Sequence, residues 1–199
     1  DISMSMHSLR LEGAITALVT PFRDGKIDIV GLMSLVEWQI RHGISGLVAC
    51  GTTGEAPTLS RTERAVVIER CVEVAEGKVP VIAGTGTNST ETTIALTAEA
   101  KALGADAALI VAPYYSKPSQ ELYRHFEAVA KAVDLPVIVY NVPSRTGVDL
   151  MPRTLERLAE LPGIVGIKDA TGDIGRILSL PAALKSRLHP FSGHDQTAL

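Results

Sequence analysis

The chain has 199 residues, 46% of them hydrophobic and 21% charged, an ordinary composition for a soluble globular protein with a sizeable core. A formal net charge of -3, without a basic block and with few aromatic residues, argues against nucleic-acid binding. Every apolar run is strand-sized, which argues against a membrane span, and the opening DISMSMHSLR has no apolar signal-peptide core. Residues 1–10 are expected to be a disordered tail or tag remnant, and 11–199 the folded unit.

In chain order, apolar β-rich runs predict strands at 14–22, 46–51, 80–86, 107–113, 136–141, 164–171 and, with a weaker pattern, 189–195. Helical spacing fills the gaps. Ile29, Leu32, Val36 and Ile40 mark the first helix, and Val67, Cys71 and Val74 the second. Leu122, Phe126 and Val129 mark the fourth, Leu155 and Leu158 the fifth. Ser60 with Glu63, and Asn88 with Glu91, have the spacing of a capping box. Gly43, Gly77 and Gly104 sit where a helix-ending glycine belongs. Cys50 and Cys71 lie in apolar segments and read as reduced, buried thiols of a cytoplasmic protein. The histidines at 7, 42, 125, 189 and 194 have no metal-ligand spacing, so no metal is expected.

Apolar strands alternating with helices imply a parallel sheet covered by helices. No G-x-G-x-x-G opens the first unit, and the units are regular, which favours a (β/α)8 TIM barrel over an open doubly wound sheet. A closed barrel needs eight strands and eight helices in roughly 250 residues. Seven strands and six full helices are legible here. The expected fold is therefore an α/β TIM barrel truncated after its seventh strand.

Barrel active sites lie at strand C-termini. Lys168, in Ile164-Val165-Gly166-Ile167-Lys168-Asp169, is the one lysine of seven inside a run of that kind. A buried amine is paired, neutral or used chemically, and a neutral amine attacks carbonyls. Gly51-Thr52-Thr53-Gly54 could be a plain tight turn, or a nest of N–H and hydroxyl donors for a carboxylate. Tyr115 and Tyr140, at strand ends, could anchor the core or relay protons. Arg145 could be an exposed loop residue or a carboxylate fork. Asp169 is expected to be structural, and His194-Asp195 is a dyad on paper only. Together these residues suit an α-keto acid substrate.

The stretches GTTGEAPTLS, PVIAGTGTNST, APYYSKPSQELYRHF, LPVIVYNVPSRTGVDL and IVGIKDATGD resemble the dihydrodipicolinate (4-hydroxy-tetrahydrodipicolinate) synthase family of pyruvate-dependent class I aldolases. The resemblance implies that Lys168 forms an imine with pyruvate and that the enamine attacks aspartate-4-semialdehyde, in lysine and diaminopimelate biosynthesis. It implies a relay of Thr52, Tyr115 and Tyr140, with Tyr115 reaching a neighbouring subunit in a homodimer or homotetramer. By the same resemblance Thr53 binds the pyruvate carboxylate, Gly193 lies by the pyruvate, and Arg145 binds the carboxylate of the second substrate. No cofactor is implied. N-acetylneuraminate lyases share the lysine and tyrosine but lack the SRTG pattern. An inactive keto-acid-binding fragment is the other alternative. Some family members are inhibited by lysine. At the matching positions Asn88 and Tyr114 fit the sensitive pattern, but Ala56, Arg61 and Thr92 replace polar or acidic ligands, so weak or absent inhibition is expected.

Overall fold

The computed structural model describes residue 9, residues 11–116 and residues 122–198. The expected tail, apart from Leu9, lies outside the described residues, as do 117–121 within the APYYSKPSQELYRHF motif.

The strands are β1 (Ile15–Ala17), β2 (Phe22–Arg23), β3 (Lys26–Ile27), β4 (Gly46–Ala49), β5 (Val81–Gly84), β6 (Ala107–Val111), β7 (Val137–Asn141), β8 (Ile164–Asp169) and β9 (His189–Ser192). The helices are α1 (Ile29–Arg41), α2 (Arg61–Ala75), α3 (Thr90–Ala102), α4 (Leu122–Ala132), α5 (Pro143–Thr146), α6 (Pro152–Leu158), α7 (Ile174–Ser179) and α8 (Ala182–Lys185). One sheet runs β1-β4-β5-β6-β7-β8-β9, with all its pairings parallel. These are the seven predicted strands. Residues of both edge strands, Ile15 and Ala17 of β1 with Pro190 and Phe191 of β9, line one cavity with Val48, Ile82 and Ile138. The sheet is therefore curled, and its edges face each other across an open seam. This is the expected barrel short of closure.

Two layers of apolar side chains cover the sheet. Val48, Ile82, Leu109, Ile138 and Tyr140 pack together inside the curl. Alternate residues such as Leu47, Ala49, Val81 and Ala83 pack outward with Val36 and Val67 of the helices. Ile110, Val139 and Ile167 pack outward with Phe126 and Leu158. The period of two along each strand produces both layers. In β8 the period breaks. Val137 pairs with Ile164, but Ile138 pairs with Gly166, so Val165 is an extra residue. Such a bulge flips the phase of everything after it. Ile164 and Ile167 both face the helices, and Lys168 faces inward.

Local departures from the predicted pattern have simple causes. The run 14–22 is a strand only over Ile15–Ala17. Phe22 begins a hairpin whose turn residues, Asp24 and Gly25, both have positive φ (51° and 74°). That geometry is the one an Asp-Gly turn supports. The capping box at Ser60 and Glu63 is present. At α3 the cap is Ser89, not Asn88: the Ser89 hydroxyl accepts from the Thr92 N–H at 3.2 Å. Pro152 begins α6 and Pro181 precedes α8, so the fifth and sixth helical regions are each split in two. Cys50 and Cys71 are free and buried, and burial pushes their thiols up to about 11 and about 12.

His125 of α4 is buried. Its Nδ1 lies 2.9 Å from the Thr90 hydroxyl, and its Nε2 has no partner among the described residues. Burial lowers its pKa from 6.5 to about 4. The folded protein therefore holds this ring neutral where the unfolded chain would bind a proton. The associated stability is full above the unfolded pKa and is lost as the pH falls towards about 4. The parent should lose on the order of 3 kcal/mol through this group between pH 7 and 4. Urea unfolding of a His125→Phe variant should show a correspondingly shallower loss. Identical pH dependence in the two proteins would exclude a neutral His125 as an acid-labile site.

Candidate active site

The loop after β4 is pinned from several sides. Cys50 adopts φ 55° and turns the chain into Gly51-Thr52-Thr53-Gly54. The Thr20 hydroxyl donates to Gly54 O at 2.7 Å, and a Cβ on Gly54 would lie 3.1 Å from Leu18 O. Glycine is needed for that close approach to β1. From α2 the buried Arg64 donates from Nη1 to Ala56 O at 3.1 Å and from Nη2 to Gly84 O at 2.5 Å. Its charge is thus dispersed on carbonyl dipoles, which makes the guanidinium a fastener between the loop and the end of β5. Nothing in the sequence distinguishes this role from that of any other helix arginine. Both threonines are exposed; Thr52 lines the larger cavity described below and Thr53 does not.

Lys168 and Tyr140 are direct register partners on β8 and β7. The Lys168 Nζ stands 4.6 Å from the centre of the Tyr140 ring. Tyr140 is buried, but Lys168 is only half-buried, because its end opens into a cavity. The expectation of a lysine enclosed in a strand is corrected to that extent. Burial lowers the Lys168 pKa, and the Asp195 carboxylate opposes that shift. Asp195 lines the same cavity. It acts as a charge beside the lysine. The sequence puts it 27 positions from Lys168, so its partner is invisible without the fold. A Cβ on Gly193 would lie 2.8 Å from Lys168 Cε and 3.0 Å from the Ala170 Cβ, so this glycine leaves the space that the lysine stem occupies. Its N–H donates to Asp169 O at 2.7 Å, holding β9 against the lysine strand.

Two cavities flank the Lys168–Tyr140 pair. One, of about 400 Å³, fills the seam between β1 and β9 and includes Lys168 and Asp195. The other, of about 550 Å³, lies over the C-terminal ends of β4 to β7 and includes Thr52, Tyr114, Tyr140 and Arg145. Among the described residues its lining contains arginines 61, 64 and 145 and no Asp or Glu. Such a cavity favours a carboxylate-bearing ligand. Arg61 is already paired with Glu99 at 2.9 Å and Arg64 with carbonyls, which leaves Arg145 best placed for an incoming anion. Arg145 sits on the short α5, whose turn ends at Gly147 with φ 69°. Of the positions matched to lysine inhibition, Ala56, Arg61, Thr92 and Tyr114 line this cavity, and Asn88 does not.

Of the expected site residues, the structure brings together Lys168, Tyr140 and Gly193, and places Thr52 and Arg145 on the cavity that Tyr140 also lines. It does not bring in Tyr115, which is 87% exposed and has φ 75°. A positive φ on a bulky aromatic is a costly conformation. Here it accompanies a backbone tie from the Tyr115 N–H to Thr146 O at 3.4 Å, on the Arg145 turn. Tyr114, its neighbour, faces the cavity instead. No metal-binding cluster occurs among the described residues. Nor is any described helix long and apolar enough to cross a membrane.

Comparison with known proteins agrees with this geometry. The chain is 55% identical over 187 residues to the 4-hydroxy-tetrahydrodipicolinate synthase of Rhodospirillum centenum, covering 94% of this chain and 64% of that protein. It is 54% identical over 190 residues to the enzyme of the same name from Methylococcus capsulatus, covering 94% of this chain and 65% of that one. Among solved structures it is similar to the chloride-inhibited dihydrodipicolinate synthase of Acinetobacter baumannii complexed with pyruvate. That match has a TM-score of 0.92 and 55% identity, and covers 95% of this chain and 66% of that one. The chain thus spans just under two thirds of the length of these relatives. Residues 10–199 match the model of the dihydrodipicolinate synthetase family, and the chain belongs to that family.

Proposed function

We propose that this protein is an aldolase-type lyase that condenses pyruvate with L-aspartate-4-semialdehyde to 4-hydroxy-tetrahydrodipicolinate, in diaminopimelate and lysine biosynthesis. The observation that carries the reading is the Lys168 amine, shifted towards its neutral form by burial and held 4.6 Å from the Tyr140 ring beside an arginine-lined, carboxylate-free cavity. The names of the relatives and the pyruvate complex of one of them support it.

The chemistry follows from the groups present. Neutral Lys168 attacks the keto carbon of pyruvate, and loss of water gives an imine. Loss of a methyl proton turns the imine into an enamine. The enamine carbon adds to the aldehyde of the second substrate, whose oxygen takes up a proton. The amino group of the semialdehyde then attacks the imine carbon, and the Lys168 amine leaves as the ring closes. Protons are required at the carbinolamine, the enamine carbon and the new alkoxide. Tyr140 would move them, with Thr52 and Tyr115 as the remaining relay members. Tyr115 points away from its own chain's cavity, which suits a role in a neighbouring subunit of a homodimer or homotetramer. Thr53 and the loop N–H groups would hold the pyruvate carboxylate, Arg145 the carboxylate of the semialdehyde, and Gly193 the space for the lysine stem. The proposed location is the cytoplasm, and no cofactor enters the scheme.

Borohydride reduction in the presence of pyruvate should add one pyruvate-derived group per chain, located by peptide mass at Lys168 and absent from Lys168→Ala. A folded sample that gains no mass would overturn the imine mechanism. Arg145→Ala should leave that adduct intact while lowering kcat/KM for the semialdehyde by about 10- to 100-fold, the usual cost of a lost charged hydrogen bond. Equal losses in both measurements would place Arg145 elsewhere in the reaction. Added L-lysine should inhibit weakly or not at all, because Ala56, Arg61 and Thr92 offer an ammonium group no carboxylate there. Low-micromolar inhibition in the same assay would refute that assignment.

A further inference from the structure

Behind the reacting side chains, on the outer face of the sheet, a second set of polar groups is linked in a ring. The register pair Tyr140 and Lys168 faces inward, and the next pair along, Asn141 and Asp169, is buried on the opposite face. Asn141 Nδ2 donates to Asp149 Oδ1 at 2.9 Å, and Asn141 Oδ1 accepts from the Leu150 N–H at 3.1 Å. Arg176 of α7 completes the ring. Its Nη1 donates to Asp149 Oδ2 at 2.6 Å, its Nη2 donates to Leu150 O at 2.8 Å, and its Nε stands 4.0 Å from Asp169 Oδ2. Asp169 Oδ1 in turn accepts from the N–H and hydroxyl of Thr171, at 2.9 and 2.5 Å.

One guanidinium therefore touches two segments directly, 149–150 and the end of β8, and reaches a third, the end of β7, through the bonds of Asn141 to Asp149 and Leu150; each lies a few residues from a reacting group. Asn141 follows Tyr140, Asp169 follows Lys168, and Asp149 lies just beyond the Arg145 turn. We propose that Arg176 is a positioning residue that clamps the ends of β7 and β8 to the 149–150 segment and so fixes Lys168, Tyr140 and the Arg145 turn relative to one another. The planar fork suits this task, because its nitrogens point in several fixed directions at once, and a lysine can serve only one or two of them. Partial burial stiffens the clamp: the Arg176 side chain is 19% exposed and that of Asp169 6%, while Asp149, at 36%, is its more solvated end. A shift of about 1 Å between reacting groups can cost on the order of 100-fold in rate, so an anchor of this kind has kinetic leverage without touching substrate. The inference rests on the proposed roles of Lys168 and Tyr140.

The test reads the lysine without needing turnover. The full chain, Arg176→Met and Arg176→Lys are labelled with acetic anhydride across pH, and acetylation of Lys168 is followed by peptide mass. The charged and titratable groups facing Lys168, Tyr140 from β7 and Asp195 from the turn after β9, are present in all three proteins. Loosening the clamp admits water around the amine, so the midpoint for Lys168 should rise by about half a pH unit or more in Arg176→Met, and by less in Arg176→Lys. Pyruvate trapping by borohydride should slow by about 10-fold in Arg176→Met. Thermal melting identifies the variants that are folded at the assay temperature, and Arg176→Lys carries the comparison if Arg176→Met is not. Superimposable labelling profiles in folded variants would overturn the clamp. Shifted profiles in a protein that never traps pyruvate would leave the clamp standing and remove the functional reading, and the reverse pattern would do the opposite.

Discussion

The bulge at Val165 in β8 is the feature on which the site depends. Without it, strict alternation would give Lys168 the same side as Ile164, packed against the helices with no cavity and no Tyr140 within reach. With it, the amine crosses to the inner face and meets the ring of its register partner. Gly166 makes the bulge compatible with β9, since a Cβ there would come within 2.8 Å of His189 O. A phase shift of one residue thus converts a costly outward-facing ammonium into a half-buried amine with one carboxylate neighbour.

Around that amine the structure separates two kinds of work. The inner face carries the groups proposed to exchange protons and form bonds. The outer face and the loops carry groups that hold them: Arg64 on the carbonyls of Ala56 and Gly84, Thr20 on Gly54, and Arg176 on the 149–150 segment and Asp169. Each holding group is a buried or partly buried donor spent on backbone or carboxylate oxygens, where a low dielectric strengthens the bond and makes its loss expensive. The larger cavity is left with arginines and no acids, a lining that selects for anionic ligands before any specific contact is made.

The open seam between β1 and β9 marks the other physical constraint. Among the described residues both strands present an unpaired backbone edge, and parallel sheets are otherwise buried on both faces and closed or covered. Lys168 and Asp195 line the cavity at that seam, so whatever closes it sets the dielectric around the amine.

Much of this was legible in the sequence. All seven sheet strands followed from apolar runs bounded by turn residues, and the barrel class followed from their regular alternation with helices. The Ser60 box and the helix-ending glycines at 43, 77 and 104 were legible because capping is a local interaction of four or five residues. Lys168 stood out because an ammonium in an apolar strand conflicts with its surroundings. Only the tertiary structure decided which way that lysine points, that Asp195 and Gly193 flank it, that Tyr114 rather than Tyr115 faces the chain's own cavity, and that Arg64 and Arg176 fasten the loops. The reason is one of range. Periodicity and capping are set by neighbours along the chain, whereas facing, pairing and burial are set by strand register and by contacts across tens of residues, which no local pattern encodes.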